Sequence, residues 1–265
     1  MSAPHGRFVW YELLTTDPEA AEAYYSNVVG WGTQPVPGPD GPYTLFTLGE
    51  TPICGLMKQS EPAKKMGAPP SWFGYVLVDD VDVTTRQAKQ LGATVYVEPC
   101  DIPNVCRFSV LTDPQNAAIG LMAWSRPQKD AVRAAAVPGR VGWHELLTID
   151  WEKGYDFYNA LFGWQKADAL DVRDIGIYQV FTVGGQLAGG MCNKPAEVPA
   201  SFWLYYFNVA DFDAAVERIG SFGGEVANGP MEVPGGSWIV HAKDPQGALF
   251  ALVGQRRHQG HPEVP

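Results

Sequence analysis

Two stretches of this sequence, one near its start and one just past its middle, are almost the same. Residues Gly6 to Asp17 read GRFVWYELLTTD, and residues Gly139 to Asp150 read GRVGWHELLTID. Each stretch is rich in aromatic and β-branched residues and ends in Thr-x-Asp, which is typical of a strand followed by the start of a helix. The repetition predicts that the chain contains one structural unit twice.

Further matches follow in the same order. VVGW, which ends at Trp31, is matched by LFGW, which ends at Trp164, and TDPQNAAIGLM, from Thr112, is matched by KDPQGALFALV, from Lys243. Ordered self-similarity over most of a chain indicates a tandem repeat. We therefore predict one domain over residues 6–125, a linker over 126–138, a second domain over 139–255 and a disordered tail over 256–265.

Within each repeat, a strand is followed by a helix and then by further strands. Asp17 is a helix-capping residue, Pro18 suits the first helical position, and Gly30 suits the end of the helix. The same reasoning predicts helices over 81–91, 151–161 and 212–219. The fold class is therefore α+β, with four βαβββ modules and curved mixed sheets that form open cups.

The overall composition excludes several classes of partner. The chain has 265 residues, 19 basic against 29 acidic side chains and a formal net charge of -10, so neither nucleic acid nor an anionic membrane is expected to bind it. No apolar stretch is long enough for a transmembrane helix. The four cysteines form no CxxC pair, which favours free thiols and a cytoplasmic location.

Three features recur in both repeats: the motif W-x-E-L-L-T-x-D, the aromatic pairs Tyr24-Tyr25 and Phe157-Tyr158, and the Asp-Pro-Gln turns at Asp113 and Asp244. Together they resemble the glyoxalase/bleomycin-resistance (vicinal oxygen chelate) superfamily, and within it the two-domain bacterial proteins. The resemblance covers nearly the whole chain. It implies paired modules whose sheets curl around a small ligand. Because the superfamily includes isomerases, dioxygenases, thiol transferases and drug-binding proteins, it does not select a reaction.

The resemblance also implies where a divalent metal would bind in the metal-dependent members, through His or Gln on first strands and Glu on last strands. These positions correspond to Trp10, Phe73, Trp143 and Leu204 on first strands and to Gly55-Leu56, Gly120, Gly189-Gly190 and Ala251 on last strands. None of these side chains can ligate a metal. We therefore expect no cofactor, and a metal is disfavoured. A register error of one residue would place His144 at a ligand position.

If Trp10 faces the cup, Glu12 faces it too, because alternate residues of a strand share a face. The same spacing brings together Trp143 and Glu145 in the second repeat. An indole offers a stacking surface, and a carboxyl group near apolar walls is suited to acid–base catalysis. Glu12 and Glu145 are thus the candidate catalytic residues, and Trp10 and Trp143 are candidate ligand-binding residues. The alternative is that both glutamates are structural, as loop caps or ion-pair partners.

Three further residues are candidates for ligand binding. Arg107 could clamp an anion with its guanidinium group, or it could form a surface salt bridge. His144 and His241 are the histidines within the predicted domains, and each could contact a ligand or act as an ordinary hydrogen-bonded imidazole.

These observations favour a metal-free protein that holds a small aromatic or carbonyl-bearing molecule in its cup, as a binder or as an enzyme of unassigned chemistry. A metal-dependent lyase, isomerase or dioxygenase of the glyoxalase type is the main alternative, and a protein-interaction module is a third. A covalent tandem of this kind is expected to be a monomer or a weak homodimer.

Overall fold

The computed structural model describes residues 5–38, 41–65, 67–126, 137–172 and 175–256. Most of the predicted linker (126–138) and nearly all of the predicted tail (256–265) lie outside the described residues.

The first repeat forms an eight-stranded mixed sheet with three helices. Its elements are β1 (Phe8–Thr15), α1 (Pro18–Val28), β2 (Gly32–Gly38), β3 (Gly41–Leu48), β4 (Thr51–Lys58), α2 (Glu61–Lys65), β5 (Ser71–Leu77), α3 (Val81–Gln90), β6 (Thr94–Ile102), β7 (Cys106–Thr112) and β8 (Ala118–Trp124). The strand order is β2-β3-β4-β1-β5-β8-β7-β6. The first strands of the two modules, β1 and β5, pair antiparallel at the centre.

The second repeat has the same topology. Its elements are β9 (Val141–Thr148), α4 (Trp151–Phe162), β10 (Gln165–Val172), β11 (Gly176–Val183), β12 (Gln186–Asn193), β13 (Phe202–Asn208), α5 (Phe212–Ser221), β14 (Glu225–Glu232), β15 (Trp238–Lys243) and β16 (Leu249–Gly254). The strand order is β10-β11-β12-β9-β13-β16-β15-β14. Four βαβββ modules and two curled mixed sheets are therefore present, and the α+β prediction is confirmed.

The helix starts follow from the sequence. Asp17 and Asp150 both have extended backbone at the N-cap. The side chain of each accepts a hydrogen bond from the backbone N–H three residues later, which belongs to Ala20 and Lys153 respectively. These bonds satisfy amide groups that the first turn of a helix leaves unpaired. The residue that caps the C-terminus of α4 is Gly163, whose backbone is left-handed with φ 71°, a conformation that glycine adopts without strain.

One strand that the βαβββ pattern requires has no clear signal of its own in the sequence. β2 contains Pro35 and Pro37 and lies at the edge of its sheet. Proline has no N–H to donate to a neighbouring strand, so it is tolerated only where one side of the strand has no neighbour, at the edge of a sheet. Because proline is rare in strands, its presence also makes such a strand difficult to predict from sequence. The adjacent short helix α2 was also not predicted.

The main hydrophobic core lies between the two sheets and is shared by both repeats. Buried residues of the first repeat, such as Tyr11 and Trp72, belong to the same cluster as Leu146 and Trp203 of the second. The opposite faces carry two smaller clusters, one per sheet. The repeats therefore pack back to back, and each sheet keeps a separate concave face.

Within the described ranges, no helix is both long and apolar enough to cross a membrane.

Candidate functional site

Strand alternation divides each first strand between the shared core and the concave face. In β1, Tyr11 and Leu13 belong to the core, whereas Trp10 packs with Phe73 and Tyr75 on the other side. In β9, Leu146 is in the core and Trp143 packs with Tyr206. We call the concave face around Glu12 the first cup and the concave face around Glu145 the second cup.

In the first cup, two tyrosines bind Glu12. Tyr43 donates to one carboxylate oxygen at 2.8 Å, and Tyr75 donates to the other at 3.1 Å. The indole N–H of Trp10 donates to the Tyr43 oxygen at 3.2 Å. Burial raises the pKa of Glu12, although both tyrosine hydrogen bonds act in the opposite direction. Glu12 is thus a carboxyl group that neutral hydroxyl donors hold in place. The groups that shift its pKa are these two tyrosines, and no Lys, Arg or His is among them.

The second cup repeats this plan and adds an imidazole. Tyr206 donates to Glu145, and the Tyr206 oxygen lies 2.9 Å from Nε2 of His241. The thiol of Cys192 lies 3.9 Å from the other oxygen of Glu145, and the Trp143 indole donates to Tyr178 at 2.7 Å. We call the chain Glu145, Tyr206 and His241 the relay.

The relay runs from the interior to the cup surface. Glu145 is 7% exposed and Tyr206 is 2% exposed, whereas His241 is only partly buried. When Glu145 is ionised, Tyr206 must donate to it, so the Tyr206 oxygen can only accept from Nε2–H of His241. The remaining ring nitrogen, Nδ1, is then unprotonated and can accept a hydrogen bond or a proton.

Burial controls the charge states of the relay. It raises the pKa of Glu145, with hydrogen bonds from Tyr206 and Cys192 opposing the shift, and it lowers the pKa of His241 to about 4. The imidazole is therefore neutral near pH 7. The same desolvation, strengthened by the charge of Glu145, raises the pKa of Tyr206, so that its hydroxyl keeps its proton.

The strand register shows that the first cup has Val110 at the place that His241 occupies in the second cup. His241 is opposite Ala251 on the neighbouring strand, and Val110 is opposite Gly120 at the equivalent place in the first repeat. The two cups therefore share the carboxyl group and the tyrosine but differ in chemistry.

The residues of the cups do not fit a divalent metal. Three last-strand glycines at or beside the ligand positions, Gly55, Gly120 and Gly190, each lie under a tyrosine ring, and a Cβ atom on any of them would overlap Tyr43, Tyr75 or Tyr178 respectively. A metal-binding side chain could not occupy these places without displacing the ring. No group of three or more His, Cys, Asp or Glu side chains is arranged to hold a metal in the part of the chain that the structure describes.

Two predicted ligand-binding residues lie elsewhere, and both expectations are corrected. His144 is 8% exposed in the shared core, where it stacks on Phe8 at 4.2 Å and bonds to the Tyr11 hydroxyl at 2.6 Å. Its neighbours in sequence, Trp143 and Glu145, face the cup, so strand alternation turns His144 away from it.

Arg107 is also on the helix side of its sheet. Its guanidinium group contacts both carboxylate oxygens of Asp82, at 2.6 and 2.9 Å, and lies 3.1 Å from Asp101. It therefore ties β7 to the start of α3 and does not clamp an anion in the cup.

Three tyrosines that contact the candidate glutamates were not among the residues predicted from the sequence. Tyr43, Tyr75 and Tyr206 each bond to a candidate glutamate. The sequence signal for them is the small residue on the neighbouring strand that faces each ring, which is Gly55, Gly120 or Ala251. In the sequence these small residues indicate the loss of metal ligands, and in the structure they also provide the space for an aromatic ring.

The sequence profile described as the Glyoxalase/Bleomycin resistance protein/Dioxygenase superfamily matches residues 7–121 and 140–252. The chain belongs to this superfamily. It is 32% identical over 246 residues to a "Putative glyoxylase CFP32" of Mycobacterium bovis, covering 92% of this chain and 93% of that protein. It is 29% identical over 271 residues to the "Anthracycline biosynthesis protein DnrV" of Streptomyces peucetius, covering 97% and 95% respectively.

Solved structures of superfamily members share the fold. A homoprotocatechuate 2,3-dioxygenase of Brevibacterium fuscum matches with a TM-score of 0.68 at 14% identity, over 100% of this chain and 85% of that one. A Mn(II)-bound glyoxalase of Novosphingobium aromaticivorans matches with a TM-score of 0.62 at 17% identity, over 96% and 83%. At these identities the likeness concerns the fold alone.

Proposed function

We propose that this chain is a metal-independent member of the superfamily that binds a small hydroxylated aromatic or carbonyl compound in the second cup, with His241 as its proton acceptor. The observation that carries the proposal is the relay. A partly buried imidazole, a buried hydroxyl and a buried carboxylate in one hydrogen-bonded line form an arrangement suited to moving a proton away from a ligand.

The proposed transfer moves one proton from the ligand to Glu145 and leaves the His241 imidazole neutral. Nδ1 of His241 takes a proton from a ligand hydroxyl or enol, Nε2–H passes its proton to Tyr206, and Tyr206 passes its own to Glu145. The ligand becomes an anion, Glu145 becomes a neutral acid, and His241 returns to a neutral ring with its proton on Nδ1. The raised pKa of Glu145 supports this direction of transfer, because the buried carboxylate gains from protonation.

The names of two relatives suggest which compounds to test. DnrV of Streptomyces peucetius and DauV of Streptomyces sp. (strain C5) are both called anthracycline biosynthesis proteins. Anthracyclines contain a hydroxylated anthraquinone, which is flat, aromatic and carbonyl-bearing. 2-Hydroxyanthraquinone is therefore a suitable first probe, since its hydroxyl group is too far from the ring carbonyls to bond to them and can donate to His241, and its rings can stack on aromatic side chains.

The test is calorimetric titration of 2-hydroxyanthraquinone into the wild type and three variants. His241→Ala and Tyr206→Phe should each weaken binding at least about tenfold, because each removes a hydrogen bond on which the ligand contact depends. Tyr75→Phe is the matched control, since Tyr75 occupies in the first cup the place that Tyr206 occupies in the second. It should leave the affinity within about twofold.

Equal weakening by Tyr75→Phe and Tyr206→Phe would contradict the assignment to the second cup. Unchanged binding by His241→Ala would contradict the role of the imidazole.

A further inference from the structure

A cavity of about 490 Å³ lies where the first repeat meets the second. One wall is formed by the first sheet, including Trp10 and Leu45, and the opposite wall by the second repeat, including Val141 and Phe207. Trp31 also lines it, and its indole N–H donates to the backbone oxygen of Gly139 at 2.7 Å. None of the relay residues lines this cavity, so it is separate from the second cup. It adjoins the first cup, because Trp10 and Met122 of the first-cup cluster line it.

Strand geometry explains why the space is open. β1 and β4 run parallel, but they pair only from Glu12 opposite Gly55 onward, although β1 starts at Phe8 and β4 at Thr51. An irregularity between Phe8 and Trp10 shifts the register of β1 against β5. The first halves of β1 and β4 therefore diverge, and the side chains that border the gap are mostly aromatic or aliphatic.

The pseudo-symmetric place in the second repeat shows what kind of group fits such a gap. There, Phe8 of the first repeat stacks on His144 with ring centroids 4.2 Å apart and planes 11° apart. The residue equivalent to Phe8 is Val141, because Val141 pairs with Phe207 as Phe8 pairs with Val76. The first repeat thus inserts an aromatic ring into the second, whereas the second inserts only a valine into the first.

We propose that this cavity is a second ligand site, which binds a flat, uncharged, mainly apolar molecule of two or three fused rings. Its volume is within the range of small-molecule sites in proteins, and such sites are predominantly lined by aromatic and aliphatic side chains. Trp31 and Phe207 meet edge to face with centroids 4.9 Å apart and form an inner wall against which a flat ring can pack. The exposed Glu50 lines the same cavity and marks its opening.

The experiment is a fluorescence titration with 1-aminoanthracene, a three-ring amine that is neutral at pH 7 and brightens in apolar surroundings. The wild type should bind one molecule per chain, saturably. Val141→Phe places in the cavity the ring that the pseudo-symmetric site already contains, and it should weaken binding at least tenfold. Leu45→Trp fills the cavity from the other wall and should have the same effect, so the test still stands if one variant fails to fold.

Ile149→Phe is the matched control, because it adds a ring at a residue that is 63% exposed and should leave the titration unchanged. Wild-type affinity in folded Val141→Phe or Leu45→Trp would overturn the proposal, as would the absence of saturable binding by the wild type. Loss of binding in His241→Ala, with Val141→Phe unaffected, would assign the probe to the second cup and would also overturn it. None of these results bears on whether the relay accepts a proton.

Discussion

The hydroxyl of Tyr25, on the first helix of the first repeat, donates to a carboxylate oxygen of Asp244, in the last turn of the second repeat, at 3.1 Å. Tyr158 donates to Asp113 at 3.0 Å in the reciprocal contact. In each aspartate the other oxygen accepts two backbone N–H groups of its own turn. The Asp-Pro-Gln turn that recurs in the sequence therefore links each repeat to the first helix of the other repeat by a buried hydrogen bond.

Tyr25→Phe should lower the free energy of unfolding by about 1–3 kcal/mol, because it removes the donor to one carboxylate oxygen of the buried Asp244 and the acceptor of the Trp72 indole N–H. Because the repeats share one core, urea unfolding should remain a single transition by both fluorescence and circular dichroism. Tyr96→Phe, at a residue 62% exposed, should change stability by less than about 0.5 kcal/mol. Two separate transitions in the wild type would contradict the shared core.

The buried His144 should make the protein sensitive to mild acid. Burial lowers its pKa from 6.5 to about 4, so the unfolded chain takes up the proton first. Stability should fall as pH drops from about 6.5 to about 4 and then level off, with a total contribution of up to about 3 kcal/mol. Urea midpoints of the wild type and His144→Gln between pH 7.5 and 4 measure it. A pH-independent difference between them would show that His144 titrates normally.

Glu12 should have the opposite pH dependence. Its raised folded pKa means that the folded state holds the proton more tightly than the unfolded chain, so this contribution to stability is lost as pH rises through the folded pKa. Glu12→Gln should therefore gain stability relative to the wild type between pH 4 and pH 8, as followed by thermal melts. A relative loss would show that Tyr43 and Tyr75 stabilise the anion by more than burial destabilises it.

Divalent metals should neither copurify with the protein nor stabilise it. Mass spectrometry of protein prepared without added metal should find well below one Mn, Fe, Ni or Zn per chain, and these ions at a concentration of about 100 µM should leave the melting temperature unchanged. Stoichiometric metal together with a shift of several degrees would favour the metal-dependent alternative, since a ligand of the native state raises its stability.

The fold could be predicted from the sequence because its determinants are local or repeated. The caps at Asp17 and Asp150 and the matched motifs predict the modules directly, and strand alternation places Trp10 with Glu12 on one face. The position of β2 could not be predicted, because Pro35 and Pro37 are untypical of a strand and are acceptable only at the edge of the sheet.

The site was less predictable because its partners come from distant strands. Nothing near Glu145 in sequence indicates that Tyr206 and His241, on β13 and β15, will meet it. That convergence depends on which strands are neighbours and on their register, and a single sequence does not carry this information. The same limit explains Arg107, whose role depended on the face of β7 to which it belongs.

Nitrogen NMR of ¹⁵N-histidine-labelled protein at pH 8 tests the relay most directly, with the His241 signals assigned from His241→Gln. If Tyr206 donates to an ionised Glu145, His241 must be a neutral ring with its proton on Nε2, and it should stay neutral down to about pH 4. Tyr206→Phe should shift the ring from the single Nε2–H form toward the intrinsic mixture of the two neutral tautomers. A proton on Nδ1 at pH 8, or the same tautomer ratio in the wild type and in Tyr206→Phe, would contradict the relay.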